Sequence, residues 1–255
     1  MDTLYIDMGN SRAKWWLSSA NARRGQLDYS SLSEGVEAIH RQAPTVEKVV
    51  LASVLSVEKT KDVVSRLQTC FAVPIKQCVV TRKALGVTCG YEDLTKLGVD
   101  RWLVVIAVWQ RYKFACQVVD LGTAMTIDLL DAKGNHLGGF IVSGLGLSIE
   151  GLLAGTDNIR SDVGLFDHAT LQPGVNTTEA VYHGALLGAV SLIETSFENA
   201  TRCNSDTKLI LVGGDAHLVG DHLRYDFEIL EDLVYEGMRL LDNSNLLIDA
   251  VPASE

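Results

Sequence analysis

Proline is scarce in this chain, with four residues in 255 and none in a run, so no Pro-rich linker or low-complexity segment divides it. Basic residues are in deficit as well. Twenty-two Lys and Arg face 32 Asp and Glu, a formal net charge of −10. A surface without basic excess cannot displace the counterions of nucleic acid or bind an anionic membrane electrostatically, so both partners are excluded. Any anionic ligand must be held by local groups. The five cysteines, Cys70, Cys78, Cys89, Cys116 and Cys203, are odd in number and form no C-x-x-C pair. That pattern points away from a disulfide framework or a zinc site and toward small buried hydrophobes. No uncharged apolar run approaches the roughly 18 residues of a membrane span, and M-D-T-L-Y-I-D is not a basic segment leading into an apolar one. A soluble, cytoplasmic protein is expected. Three motif types are missing too: G-x-x-x-x-G-K-[ST], the H-R-D and D-F-G pair, and H-E-x-x-H. Their absence removes P-loop, protein-kinase and zinc-hydrolase chemistry.

What is present is organised around residues 118–128, V-V-D-L-G-T-A-M-T-I-D. An apolar strand delivers Asp120 into a Gly122-Thr123-Ala124 turn and then resumes. A glycine there lets bare backbone N–H groups approach an anion that a Cβ would hold away. The segment reads as a phosphate-binding hairpin, with ordinary turn chemistry as the alternative. Residues 4–14, L-Y-I-D-M-G-N-S-R-A-K, repeat it: Asp7 falls on Asp120, Gly9 on Gly122, Asn10 on Thr123 and Ser11 on Ala124. Two copies about half a chain apart predict a duplicated fold, each half offering one phosphate loop, with a cleft between. A third glycine bend, Gly213-Gly214, follows the apolar run 209–212 and suits the close approach of a nucleoside.

With 47% hydrophobic residues the chain can bury a large core in one or two domains. Periodicity predicts strands at 4–6, 13–17, 48–52, 75–80, 138–144 and 209–212, with Trp15 and Trp16 on opposite faces. It predicts helices at 32–41, 60–71, from about 100 to 113, at 146–155, 177–197 and 226–241. Residues 21–31 read as a polar hairpin or loop, and the tail 243–255 as poorly anchored. Residues 103–109 are apolar all round and must cross the core or a subunit interface. Asn176 and Glu179 form a capping box, and Ala180, Gly184 and Gly188 leave one helix face bare for a neighbouring helix. Two phosphate turns, a nucleoside bend and nearby acids describe a nucleotide cleft with Mg²⁺. Asp7 and Asp120 are the candidate ligands, unless each bonds its own turn amides. Lys14 either folds back toward phosphate or is simply solvated. Asp100 is the candidate base for an acceptor hydroxyl, or else a helix cap, and Arg101 suits a carboxylate on that acceptor.

Five segments in order resemble the type III pantothenate kinases of the acetate and sugar kinase, Hsc70 and actin superfamily. They are D-M-G-N-S-R-A-K at 7–14, L-G-V-D-R-W at 97–102, D-L-G-T-A-M-T-I-D at 120–128, G-G-F-I-V-S-G at 138–144 and V-G-G-D-A at 212–216. The first and third indicate the superfamily, and L-G-x-D-R-W the family. The resemblance implies an α/β fold of duplicated ribonuclease H-like (actin-like ATPase) domains over 1–115 and 116–255, each a mixed five-stranded sheet flanked by helices. It implies ATP-dependent phosphorylation of pantothenate, the first step of coenzyme A synthesis, in a cytoplasmic homodimer using Mg²⁺ and potassium or ammonium. By matching position it assigns ATP to Asp7, Met8, Gly9, Asn10, Ser11, Arg12, Ala13, Lys14 and Thr123. It assigns pantothenate to Tyr91, Gly98, Val99, Asp100, Arg101 and Thr177, with Asp100 as proton acceptor. Asp120 matches the ligand of the monovalent cation, a role that competes with Mg²⁺ there. Leu94 and Ser143 stand where the family usually has proline, and Val212 where threonine is common, which bears on loop rigidity and nucleotide affinity. Two other readings stay open: a sugar or acetate kinase of the same superfamily, and a non-catalytic regulatory protein that keeps the cleft.

Overall fold

The computed structural model describes residues 2–18, 23–156 and 168–250. Two compact units divide the chain, Met1–Arg111 with Asp232–Glu255, and Tyr112–Glu231. The chain first runs through β1 (Asp2–Met8), β2 (Ala13–Leu17), β3 (Arg24–Leu27), α1 (Leu32–Gln42), β4 (Val46–Ser53), α2 (Val57–Phe71) and β5 (Ile75–Gln77). A small hairpin of β6 (Lys83–Ala84) and β7 (Val87–Thr88) precedes α3 (Val99–Tyr112). The second unit holds β8 (Cys116–Leu121), β9 (Ala124–Leu130), β10 (His136–Ser143), α4 (Leu145–Ala154), α5 (Thr177–Cys203), β11 (Lys208–Val212), α6 (Ala216–Gly220) and β12 (Phe227–Ile229). The first unit is completed by α7 (Leu233–Asn243) and β13 (Ile248–Asp249).

Strand order is β13-β5-β4-β1-β2-β3 in one sheet and β10-β9-β8-β11-β12 in the other. In both, the first strand runs antiparallel to the second and parallel to the fourth, and the fourth parallel to the fifth. The repeat seen in two glycine turns therefore extends strand for strand through both sheets. The first sheet adds a sixth, two-residue edge strand.

Side-chain alternation builds the two faces of the first sheet. Leu4, Ile6 and Met8 of β1 join Val49 and Leu51 of β4 in a core covered by Val36 and Ile39 of α1 and Val63, Val64 and Leu67 of α2. Tyr5 faces the other way, where its hydroxyl donates to Asp242 of α7 at 2.8 Å, and Lys48 meets the same carboxylate at 2.6 Å. Trp15 enters the α1 and α2 core, while Trp16 stacks on Tyr235 of α7 with centroids 5.3 Å apart. With both faces covered, the run Val49–Ala52 has no polar position to spare.

Three expectations change. Residues 226–241 are not one helix: Phe227, Glu228 and Ile229 pair with Leu209, Ile210 and Leu211 as β12, and α7 starts only after Asp232, at φ +56°. Pairing at a sheet edge outweighs the helical period of so short an aromatic and β-branched segment. The tail is anchored through residue 250, because β13 pairs with β5, Ala250 N–H reaches the Ile75 carbonyl at 3.0 Å, and Asp249 meets Lys76 at 2.6 Å. Residues 251–255 lie outside the described residues, as do 21–22; the rest of the 21–31 segment forms β3 and a 3₁₀ turn at 29–31. The strand expected over 75–80 ends at Gln77. Of the two places open to the all-apolar helix α3, the structure puts it in the core, with residues 102–108 at most 4% exposed.

In the second unit α5 pins the turn before β12. Arg224 donates to Glu194 through Nε at 2.9 Å, Nη2 at 2.6 Å and its own N–H at 2.8 Å. These bonds, led by the guanidinium, hold the Glu194 carboxyl below its ordinary range. A depressed folded-state pKa contributes stability in full above the unfolded pKa and loses it as pH falls through the folded one. Arg224→Ala should therefore move acid unfolding, followed by circular dichroism, to higher pH. An unchanged acid midpoint would show the pair to be neutral.

Candidate active site

In the first unit the β1 and β2 register sets Asp7 opposite Lys14, so both project from one face, beyond the part that Tyr5 and Trp16 give to α7. Met8 and Ala13 are buried beneath, and residues 9–12 form the connecting turn. Two residues that pattern reading passed over hold that turn. The Tyr29 hydroxyl donates to the Gly9 carbonyl at 2.6 Å, and Arg12 donates to Gln26 at 2.8 Å. Burial, and then the charge of Asp7, push the Tyr29 phenol up to about 12, so it stays a donor at neutral pH.

Asp100 occupies the first turn of α3, where its Oδ1 accepts the N–H of Arg101 at 2.7 Å. A Cβ at Gly98 would displace the Asp100 carboxylate from its present position, and the Gly98 carbonyl accepts from Trp102 N–H at 3.1 Å to start the helix. A Cβ at Gly98 would stand 3.9 Å from Val54 Cγ1, and Val54 N–H donates to the carbonyl of Met8 at 3.1 Å. Val54 thus lies between the Asp100 turn and the end of β1, where the turn of residues 9–12 departs. Arg101 is buried at 5% exposure; its Nη1 donates to the Tyr91 hydroxyl at 2.9 Å and its guanidinium carbon lies 5.7 Å from that ring centre. A groove of about 440 Å³ runs past Ser53, Val54, Gln77 and Cys78, at the carboxyl ends of β4 and β5, to Gly98 and Val99. Ligands of open α/β sheets bind at such strand ends. Where the family usually has proline, Leu94 begins a 3₁₀ turn fixed by Asp93, which accepts from Thr95 N–H at 2.9 Å and its hydroxyl at 2.7 Å.

In the second unit Asp120 is the next-to-last residue of its strand, as Asp7 is in β1. Three glycine bends meet beside it. Gly144 N–H donates to the Thr123 carbonyl at 3.0 Å, and a Cβ on Gly144 would strike the Gly122 and Thr123 carbonyls. Gly213 has φ +99°, and a Cβ there would lie 2.5 Å from the Leu121 carbonyl and 2.8 Å from Asp120 Oδ1. The close approach is made by Gly144, just before α4; within α4 a Cβ at Gly146 or Gly151 meets nothing within 4 Å. Ser143, the other proline departure, meets Ser148 at 2.7 Å.

Thr177 opens α5, exposed, beside a groove of about 510 Å³ shared by Ile149, Leu152, Ala180 and Gly184. Asn176 accepts the Glu179 N–H at 2.9 Å as the capping box requires, but Glu179 reaches back to Val175 N–H, at 2.8 Å, instead of to Asn176. Among the described residues no three His, Cys, Asp or Glu side chains gather into a metal cage. Single carboxylates beside open backbone, as at Asp7 and Asp120, suit a hard cation that completes its shell with phosphate oxygens and water.

A duplicated sheet with a glycine turn after each first strand defines the class: the acetate and sugar kinase, Hsc70 and actin fold. A Campylobacter jejuni protein described as a conserved Baf family transcriptional activator matches with TM-score 0.60 at 20% identity, over 95% of this chain and 99% of that one. A Sinorhizobium meliloti protein described as a 2-dehydro-3-deoxygalactonokinase matches with TM-score 0.51 at 10% identity, over 95% and 97%. The family model for type III pantothenate kinase matches residues 3–199. The type III pantothenate kinase of Pseudomonas aeruginosa strain LESB58 is 38% identical over 242 residues, 93% of this chain and 97% of that one. The chain belongs to the type III pantothenate kinase family.

Proposed function

We propose that the protein transfers the γ-phosphoryl group of ATP to the primary hydroxyl of pantothenate, giving 4′-phosphopantothenate and ADP. The observation that carries this reading is the Asp100–Arg101 pair in the first turn of α3, with the arginine braced on Tyr91, in a chain of this family. The hydroxyl oxygen forms a bond to the γ-phosphorus as the bond to the β,γ-bridging oxygen breaks, and Asp100 receives the hydroxyl proton. Arg101 pairs with the pantothenate carboxylate through its two-pronged donor edge, while Tyr91, Gly98, Val99 and Thr177 complete the acceptor contacts. ATP is bound by the turn from Asp7 to Lys14 and by Thr123, the glycines admitting phosphate oxygens to backbone N–H groups.

Asp7 would hold Mg²⁺ and Asp120 potassium or ammonium; bound there, such cations neutralise charge on the phosphate oxygens. ADP release coupled to a reporter should require pantothenate and rise with potassium or ammonium. Preference for a hexose or acetate over pantothenate would overturn the reading.

A homodimer is also proposed. Its support is the face of α5 at Gly184 and Gly188, where an added Cβ would meet nothing within 4 Å, beside the exposed Leu147, Leu152 and Leu187. Sedimentation at micromolar concentration should give a dimer; a monomer alone would remove the proposal. Among the described residues no helix is long and apolar enough to cross a membrane.

A further inference from the structure

We propose that Arg82, an exposed residue between β5 and the β6–β7 hairpin, is a positioning residue for acceptor binding: it locks residues 89–92 so that Tyr91 holds the Arg101 guanidinium in one orientation. The identity of the acceptor rests on the pantothenate reading above; the lock does not.

The Arg82 guanidinium donates to three carbonyls of one short segment. Nη1 reaches Cys89 at 3.0 Å and Tyr91 at 2.7 Å, and Nη2 reaches Glu92 at 2.9 Å. The Arg82 carbonyl accepts the Cys89 N–H at 2.9 Å, so the segment is tied from both ends of one residue. Residues 89–92 contain Gly90 and no proline, and no proline occurs anywhere between Pro74 and Pro173. Nothing in the covalent chain therefore limits this loop, and a planar fork that binds several carbonyls at once limits it instead. A lysine, with one rotatable ammonium, offers no such fork.

What the lock controls is the next contact inward. The Tyr91 hydroxyl accepts from Arg101 at 2.9 Å and its ring lies under that guanidinium. Arg101 is nearly fully buried, and a buried cation that loses an acceptor is costly, so the tyrosine contributes to fixing its position. Asp100, in contrast, stands in the first turn of α3, where it accepts the Arg101 N–H. Loosening residues 89–92 should disturb the grip on the acceptor carboxylate and leave proton transfer in place. The expected signature is a split between KM and kcat.

The test uses the full-length protein with Arg82→Ala and, as a second variant retaining a planar donor, Arg82→Gln. Arg82→Ala should raise KM for pantothenate about tenfold, with kcat within about threefold and KM for ATP unchanged; Arg82→Gln should fall between. Tyr91→Phe, which removes the hydroxyl that meets Arg101, should raise the same KM, and the double variant should show less than the product of the two effects. Hydrogen exchange should quicken at residues 89–92 in Arg82→Ala and not in α3. Equal losses for ATP and pantothenate with a lowered melting temperature would mark Arg82 as merely structural and overturn the proposal, as would a fully multiplicative double variant. If wild-type protein fails to phosphorylate pantothenate, the kinase reading fails and the exchange result alone decides the lock; unchanged exchange at 89–92 sinks it.

Discussion

Asp100→Asn is expected to lower turnover with ATP and pantothenate by more than about a hundredfold while the protein remains folded. The fold should persist because asparagine is the same shape and keeps an oxygen for the Arg101 N–H that Asp100 now accepts at 2.7 Å. The stability cost is the lost charge in the first turn of α3, about 0.3–1 kcal/mol from the helix dipole. The chemistry should not persist, because a neutral amide cannot take the proton of the attacking hydroxyl. In a loose phosphoryl-transfer transition state that proton leaves late, so a carboxylate needs alignment more than strong basicity. The start of α3 and the Arg101 N–H supply the alignment, which asparagine inherits. Melting temperature and KM for ATP measured beside turnover separate the two effects. Turnover within threefold of the parent would remove Asp100 from the mechanism.

The second large effect should come from a glycine. Gly213→Ala is expected to destabilise the protein by about 2–4 kcal/mol and to raise KM for ATP, through two costs that add at one atom. The backbone at φ +99° disfavours any L side chain, and the new methyl would stand 2.5 Å from the Leu121 carbonyl. Relief by moving β8 would shift Asp120, whose Oδ1 is 2.8 Å from the same point, and with it the turn proposed for ATP. Gly214→Ala is the control, because a Cβ there meets nothing within 4 Å, and its effect should be within about 0.5 kcal/mol. Urea unfolding and ATP kinetics on both variants decide the matter. Equal behaviour of the two would mean that the bend is an ordinary turn.

These two positions differ in how they could be found. Asp100 stands in a short ordered motif, so its candidacy needs only neighbours in the chain. Gly213 could be suspected from a glycine pair after a strand, but its constraint comes from β8, over 90 residues earlier. The same distinction explains the misreading of residues 226–241. Phe227 to Ile229 fit a helical period locally, and only the exposed edge of β11 makes them a strand. It also explains why Tyr29, Gln26 and Arg82 escaped notice: each acts on backbone or a side chain at least seven residues away in the chain, by hydrogen bonds that leave no period.

By itself the sequence determined the repeated strand–glycine–strand unit, the buried runs of β4 and α3, the cap of α5 and the Asp100–Arg101 pair. Each is written in contiguous residues, where alternation, helical spacing and a missing Cβ act over one or two turns. Tertiary structure alone decided which carbonyls Arg82 and Tyr29 hold, how Gly144 and Gly213 close on the Gly122-Thr123 turn, and that the chain returns at Asp232 to complete its first unit. Those outcomes depend on hydrogen bonds and close contacts between distant segments, whose partners are chosen by packing and not by local propensity.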